Sequence, residues 1–245
     1  MDELNARPKI RLYLDVPLAE GAALEPSAAQ AHHLLVVMRQ RAGDTVALFN
    51  GRDGEWLARV EPMQRRRCRL DVGQQLRPQE SEPGPALLFS PLKRIRQELL
   101  AEKATELGVT RLEPVLTQRS VVDRVSQQRL QAITIEAAEQ SGRLTVPEIV
   151  LLQPLLDRVA DWPSDRRLYL GDTSGAALPV LEAFDEHGPG DLLIGPEGGF
   201  DPDELVELRA CEAVIPISLG PRTLRAETAA IAALACWQAE LGPLV

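Results

Sequence analysis

The chain of 245 residues is 44% hydrophobic and 26% charged, with a net charge of −9. That usage is ordinary for a globular protein and excludes a disordered or coiled-coil chain. No apolar run approaches the roughly 18 residues that cross a bilayer, and residues 1–5 carry two acids where a signal peptide needs a basic and then an apolar start. Cys68, Cys211 and Cys236 are too far apart for a CxxC motif or a disulfide scaffold. A globular, cytoplasmic protein without a metal site is expected.

Residues 10–14 alternate and read as a strand. Ser27 is placed to cap a helix over 28–38, because its hydroxyl can accept from an orphan amide. Strands are expected at 45–49, 55–60 and 67–72, with Asn50-Gly51 and Asp53-Gly54 as turn signals between the first two. Several short strands in so little chain predict a compact β-barrel domain over residues 1–77. Residues 78–85 are rich in proline and polar side chains and read as a linker.

Past the linker the pattern alternates between strand and helix. Residues 86–89 form an apolar run of buried-strand type, and 93–107 have helical spacing. Ile95, Leu99, Leu100, Ala104 and Leu107 would share one face of that helix, with Gly108 as its stop. Residues 112–116 read as a strand and 126–141 as a helix, followed by buried strands at 167–170 and 191–194, each leading into glycine. A helix at 202–210, a strand at 213–219 and an alanine-rich helix at 227–241 complete the chain. Residues 86–245 are therefore an α/β domain with a mostly parallel sheet.

The net charge argues against a nucleic-acid partner only as an average. Residues 1–77 hold 12 basic and 10 acidic residues, and residues 93–129 hold 8 and 5, whereas residues 130–245 hold 7 and 19. The acid is concentrated in the last half.

Neither GxGxxG, a P-loop nor a GxSxG elbow is present. His32 and His33 lie in the first domain and His187 in a polar turn, so no metal cluster is suggested. Glycine and charge at strand ends are more telling. Ile194-Gly195-Pro196-Glu197-Gly198-Gly199-Phe200 leaves one buried strand, and Leu219-Gly220-Pro221-Arg222-Thr223-Leu224-Arg225-Ala226-Glu227 leaves the next. Ligands of open α/β sheets bind beyond such carboxyl ends. Taken alone, either segment is equally a tight connection with solvated charges, Thr223 or another polar residue capping the helix. Together they suggest a ligand site built from both.

Five blocks in order cover nearly the whole chain. They are His32-His33-Leu34 with Val37-Met38-Arg39; Lys93 and Glu98 with Glu102-Lys103-Ala104-Thr105-Glu106-Leu107-Gly108-Val109; Glu136-Ala137-Ala138-Glu139-Gln140-Ser141-Gly142-Arg143; and the two glycine segments, the second extending to Thr228-Ala229. In these the sequence resembles the RsmE-type 16S ribosomal RNA uridine N3-methyltransferases of the SPOUT superfamily. Met38 and Thr223 depart from the family pattern, where leucine and an aliphatic residue are usual.

The resemblance implies a PUA-like RNA-binding domain followed by a SPOUT methyltransferase domain with a deep trefoil knot. It implies S-adenosylmethionine bound in a bent form, held by the Leu170-Gly171 strand end, by Gly195, Pro196, Glu197, Gly198 and Gly199, and by Leu219, Gly220 and Leu224. It also implies a homodimer in which each site is completed by the partner chain. Uracil N3 becomes a nucleophile only when its proton leaves. Arg225 is therefore expected to stabilise the uridinate oxygen, Glu227 to orient that arginine or relay the proton, and Arg222 to contact uridine or phosphate.

Candidate contacts to the 16S rRNA or small subunit are Arg39, Arg41, Arg65, Arg66 and Arg67, then Lys93, Arg94 and Arg96, and Arg143, which following Gly142 is equally a helix C-cap partner. The lysine-arginine group opens a helix, where cations oppose the helix dipole and phosphate would justify them. Two other readings stay open: transfer to another RNA acceptor such as a ribose 2′-hydroxyl, and a non-catalytic RNA-binding assembly factor.

Overall fold

The structure is a computed structural model that describes residues 8–172 and 177–242. Residues 1–5, read above as unlike a signal peptide, lie outside the described residues. The chain separates into two compact units, Met1–Ser81 with Ala138–Thr145 and Glu82–Ala137 with Val146–Val245. The break after Ser81 falls inside the proline-rich segment. Nothing in the sequence announced the short return at 138–145.

In the first unit β1 (Arg11–Tyr13), β2 (Ala23–Leu24), α1 (Ala28–His32), β3 (Thr45–Phe49), β4 (Glu55–Pro62) and β5 (Cys68–Arg77) follow in order. The strands make one sheet, β1-β3-β4-β5-β2, parallel only between β1 and β3. Alternation sends Val46, Leu48, Ala58, Val60, Leu70 and Val72 into one core with Leu12 and Leu34. Helix α1 is shorter than its expected span and passes into a π-helical turn over His33–Val37. Ser27 caps it: its hydroxyl accepts from the Gln30 amide at 3.3 Å, and the Gln30 side chain accepts from the Ser27 amide at 3.1 Å. Asn50 closes the turn before β4 by accepting from the amides of Arg52 (2.9 Å) and Asp53 (2.8 Å).

Buried Glu55 organises the far side of this unit. Arg11 donates to it at 2.6 Å and Arg77 at 2.9 Å. The same guanidinium groups donate to the carbonyls of Ala138, Glu139, Gly142 and Arg143, so two cations satisfy carbonyls at a helix end. Burial by itself would raise the Glu55 carboxyl, but the hydrogen bonds from Arg77 and Arg11 outweigh it and hold it below the ordinary carboxylate range.

The second unit contains β6 (Ala86–Phe89), α2 (Arg94–Glu106), β7 (Arg111–Leu116), α3 (Gln127–Ser141), β8 (Glu148–Ile149), β9 (Gln153–Pro154), α4 (Leu155–Ala160), β10 (Arg167–Gly171), β11 (Leu178–Pro179), α5 (Val180–His187), β12 (Gly190–Ile194), α6 (Pro202–Ala210), β13 (Val214–Ser218) and α7 (Ala226–Leu241). The last residues of α3 cluster with the first unit. The sheet is parallel in the order β11-β13-β10-β12-β6-β7-β8, and β9 also pairs with β7. Strand alternation divides the core by faces. Leu87, Phe89, Tyr169, Leu192, Ile194 and Ile217 pack with α2, α5 and α7, whereas Leu88, Leu168, Leu170, Leu193 and Val214 pack with α4 and α6.

His187 ends α5 and is not in a polar turn. Ile95 and Leu99 are 83% and 40% exposed, because α2 turns Leu100, Ala101, Ala104 and Thr105 inward against α7 and the sheet. Gln238 of α7 donates to the Leu107 carbonyl at 2.8 Å and completes the end of α2. Among the described residues no helix is long and apolar enough to cross a membrane.

Candidate active site

Strands β10, β12 and β13 bring three loops to one edge. Leu170 lies opposite Leu193, and Gly171 opposite Ile217, so the carboxyl ends stand in register. Strands β12 and β13 are successive strands of the sequence, yet β10 lies between them in the sheet. Gly171 and Asp172 thus form a wall between the two glycine segments. The loops enclose a cavity of about 310 Å³ lined by Gly171, Asp172, residues 194–200, Leu219, Gly220, Arg222, Thr223 and Leu224, with Arg119, Leu205, Ile217, Ala226 and Ala229.

All the expected cofactor positions line this cavity except Leu170, whose side chain belongs to the core on the α4 and α6 face. Glycine is required at two of them. A Cβ on Gly195 would lie 2.6 Å from the Phe200 ring, so the loop can fold over that ring only without a side chain. Gly220 has φ +106°, a conformation that L side chains rarely adopt. Thr223 does not cap α7. Arg225 holds the N-cap position without a side-chain bond, so no side chain there takes up the first-turn amides.

Four charged side chains gather beside the cavity. Arg96 of α2 pairs with Glu197, and its Nε lies 3.7 Å from Glu227 Oε1. Nη1 of Arg225 is 4.0 Å from the same Glu197 oxygen. Glu227 is 7% exposed, and its Oε2 has no hydrogen-bond partner among the described residues. Arg225 and Glu227, expected to act together, therefore face different partners: Glu197 stands nearest Arg225, and Arg96 nearest Glu227. Neither lines the cavity, whereas Arg222 does.

Three residues take places the sequence did not suggest. Arg96, expected on RNA phosphate, belongs to this cluster, and two carboxylates offset its position at the positive end of α2. Arg119 reaches the wall, donating to the Gly198 carbonyl at 3.1 Å and pairing with Asp201 at 3.4 Å. It follows β7 without any local signal, and only the sheet order carries it here. Asp172 pairs with Arg209 at 2.7 Å and stands one position past an expected glycine.

The other RNA candidates divide by exposure. Arg39, Arg41, Arg65, Arg66 and Arg67 are exposed in the first unit. Arg39, Arg65 and Arg66 have φ of +56°, +60° and +58° and are the non-glycine residues recorded with positive φ among the described residues. A left-handed backbone at such residues costs about 1–2 kcal/mol, and held strain of this kind clusters at functional sites. Arg67 pairs with Glu25. Lys93 and Arg94 are exposed at the start of α2, Arg94 pairing with Glu98 at 3.0 Å. Arg143 differs from these exposed arginines. It is 8% exposed and donates to Thr145 Oγ1 at 3.0 Å, so it is turned inward in the first unit.

Residues 80–238 match the RNA methyltransferase domain family, and residues 27–73 match the RNA methyltransferase PUA domain family. A PUA domain and a parallel α/β sheet with a glycine-walled cavity at its strand ends define the class. The chain is 33% identical over 231 residues to the ribosomal RNA small subunit methyltransferase E of Rickettsia conorii, covering 92% of this chain and 93% of that protein. Its fold matches the methyltransferase E of Neisseria gonorrhoeae bound to S-adenosyl methionine, with a TM-score of 0.84, 29% identity and coverage of 96% and 99%. A Legionella pneumophila putative methyltransferase in complex with the same cofactor matches with a TM-score of 0.84, 32% identity and coverage of 98% and 100%. The chain belongs to the ribosomal RNA small subunit methyltransferase E family.

Proposed function

We propose that the protein transfers the methyl group of S-adenosylmethionine to N3 of a uridine in the 16S rRNA of the small ribosomal subunit, acting as a cytoplasmic homodimer. The observation that carries this reading is the cavity at the ends of β10, β12 and β13. Its volume of about 310 Å³ falls in the small-molecule range, and relatives of the same fold hold S-adenosyl methionine. The residues fit that cofactor. Leu219, Leu224 and Phe200 offer apolar surface for a flat base, and Gly198, Gly199 and Gly220 have open space where a side chain would stand. Without side chains, the backbone at these positions can approach the cofactor closely.

When bound, the cofactor supplies a methyl group on a sulfonium, so the protein's work is binding, alignment and charge management. Arg222, on the wall, contacts the uridine or its phosphate. Arg225 stabilises negative charge on the uracil oxygens. N3 lies on the Watson–Crick edge, so the target base must be unpaired or extruded to reach the cavity. Arg39, Arg41, Arg65 and Arg66, with Lys93 and Arg94, hold RNA through phosphate. The trefoil knot belongs to the same reading.

The test combines calorimetric titration of S-adenosylmethionine with transfer of labelled methyl to small-subunit RNA lacking the modification. Label at uridine N3, mapped by mass spectrometry, is the expected result. Label on a ribose 2′-hydroxyl would replace the acceptor, and cofactor binding without any transfer to RNA or subunits would leave a non-catalytic binding protein.

A further inference from the structure

Arg96 and Arg225 converge on one atom. Nη1 of Arg96 contacts Glu197 Oε1, and Nη1 of Arg225 is 4.0 Å from that oxygen. Glu197 is on the cavity wall, and neither arginine lines the cavity. Arg96 is held from its other side by Glu227, whose Oε1 is 3.7 Å from Nε. Forming α2 does not call for this arrangement, since a cation in the first turn opposes the helix dipole. Nor does stability call for Glu227, which is buried with one oxygen unpartnered among the described residues.

Loss of the N3 proton leaves negative charge on the oxygens of uracil. A fixed pair of guanidinium groups is suited to such charge, because neither needs to reorganise as it develops. We propose that Arg96 and Arg225 form a single anion seat, which Glu197 fills until the uridine arrives, and that Glu197, displaced by a uracil oxygen, accepts the N3 proton. The proposal rests on the uridine N3 reading above and deepens it. The N–H electron pair stays on the ring as the proton moves to a Glu197 oxygen. That pair forms the new N–C bond, the S–C pair remains on sulfur as a thioether, and Glu197 later releases its proton to water. Glu227 is then a positioning residue for Arg96, and the proton does not pass through it.

The experiment compares Arg96→Met, Arg96→Lys, Glu197→Gln and Glu227→Gln with the wild type by three measurements. These are cofactor affinity by calorimetry, single-turnover transfer, and binding of target RNA carrying uridine or 5-fluorouridine, whose N3 is more acidic. Arg96→Met should lower the transfer rate about 100-fold with cofactor affinity within about twofold, and Arg96→Lys should recover part of the loss. The wild type should prefer 5-fluorouridine RNA, and Arg96→Met should lose that preference. Glu197→Gln should slow transfer while binding RNA at least as tightly. Glu227→Gln should slow transfer in the wild type but add little to Arg96→Met, the mark of coupled residues.

Transfer by Arg96→Met at the wild-type rate, or an unchanged fluorouridine preference, would overturn the seat. If Glu197→Gln weakens cofactor binding and transfers normally once saturated, Glu197 is a cofactor ligand and the exchange is wrong. Wild-type enzyme that binds cofactor but methylates no uridine overturns the underlying reaction, and this role with it.

Discussion

Glu55 and Asp191 are both buried carboxylates with arginine partners, and their environments push them in opposite directions. Burial raises Asp191, and the Ala86 amide and Arg166 do not overcome it. At Glu55 two guanidinium groups win against burial. A carboxyl held below its unfolded value of about 4.3 contributes stability above that pH, and the contribution is lost as pH falls through the folded value. At neutral pH, Glu55→Gln should therefore destabilise the protein by about 3–5 kcal/mol, since two arginines lose their counter-ion. The gap between wild-type and variant melting temperatures should narrow as pH falls through the acidic range. Parallel melting curves across that range would show that the ion pairs do not carry the stability of this corner.

At the scale of elements, function depends on what leaves β10, β12 and β13. Parallel strands align their exits, so three segments distant in sequence become neighbouring walls. Gly195 is the tightest point, and the clash of a Cβ with Phe200 at 2.6 Å must displace either the ring or the loop. Overpacking of this kind costs about 1–3 kcal/mol. Gly195→Ala should weaken S-adenosylmethionine binding by about 5- to 150-fold on the usual conversion, while circular dichroism reports an unchanged fold. Calorimetry returning wild-type affinity would mean the loop bends away without touching the binding surface. Helices α2 and α7 act differently. They carry Arg96 and Glu227 on facing surfaces, so their packing brings the charged cluster together.

For the whole molecule, a net charge of −9 and a few exposed arginines predict weak attraction to bulk nucleic acid. Log affinity for RNA should fall only gently with log salt, by about 0.7 for each single-strand phosphate neutralised. Arg65→Gln with Arg66→Gln should reduce that slope by about 1.4 and leave cofactor affinity unchanged. A slope identical to wild type would remove these arginines from the RNA contact. Specificity must then come from a shaped target with an accessible base, since charge alone would not hold the RNA.

By itself the sequence determined the class of each unit, most element positions, and the glycine segments that wall the cavity. Those features are written locally: alternation of period two, helical spacing, Ser27 as a cap, glycine after an apolar strand. Its misses have a common cause. Spacing places Ile95 and Leu99 on a buried face because it defines a stripe but not which neighbour arrives to cover it. Arg119 and Asp172 reach the cavity, and Arg96 joins Glu197 and Glu227. Each of these depends on strand order or on helix packing, where residues tens of positions apart become contacts. Local pattern carries propensity and burial; which charges meet is decided only when the sheet assembles, because electrostatic partners are set by distance in space.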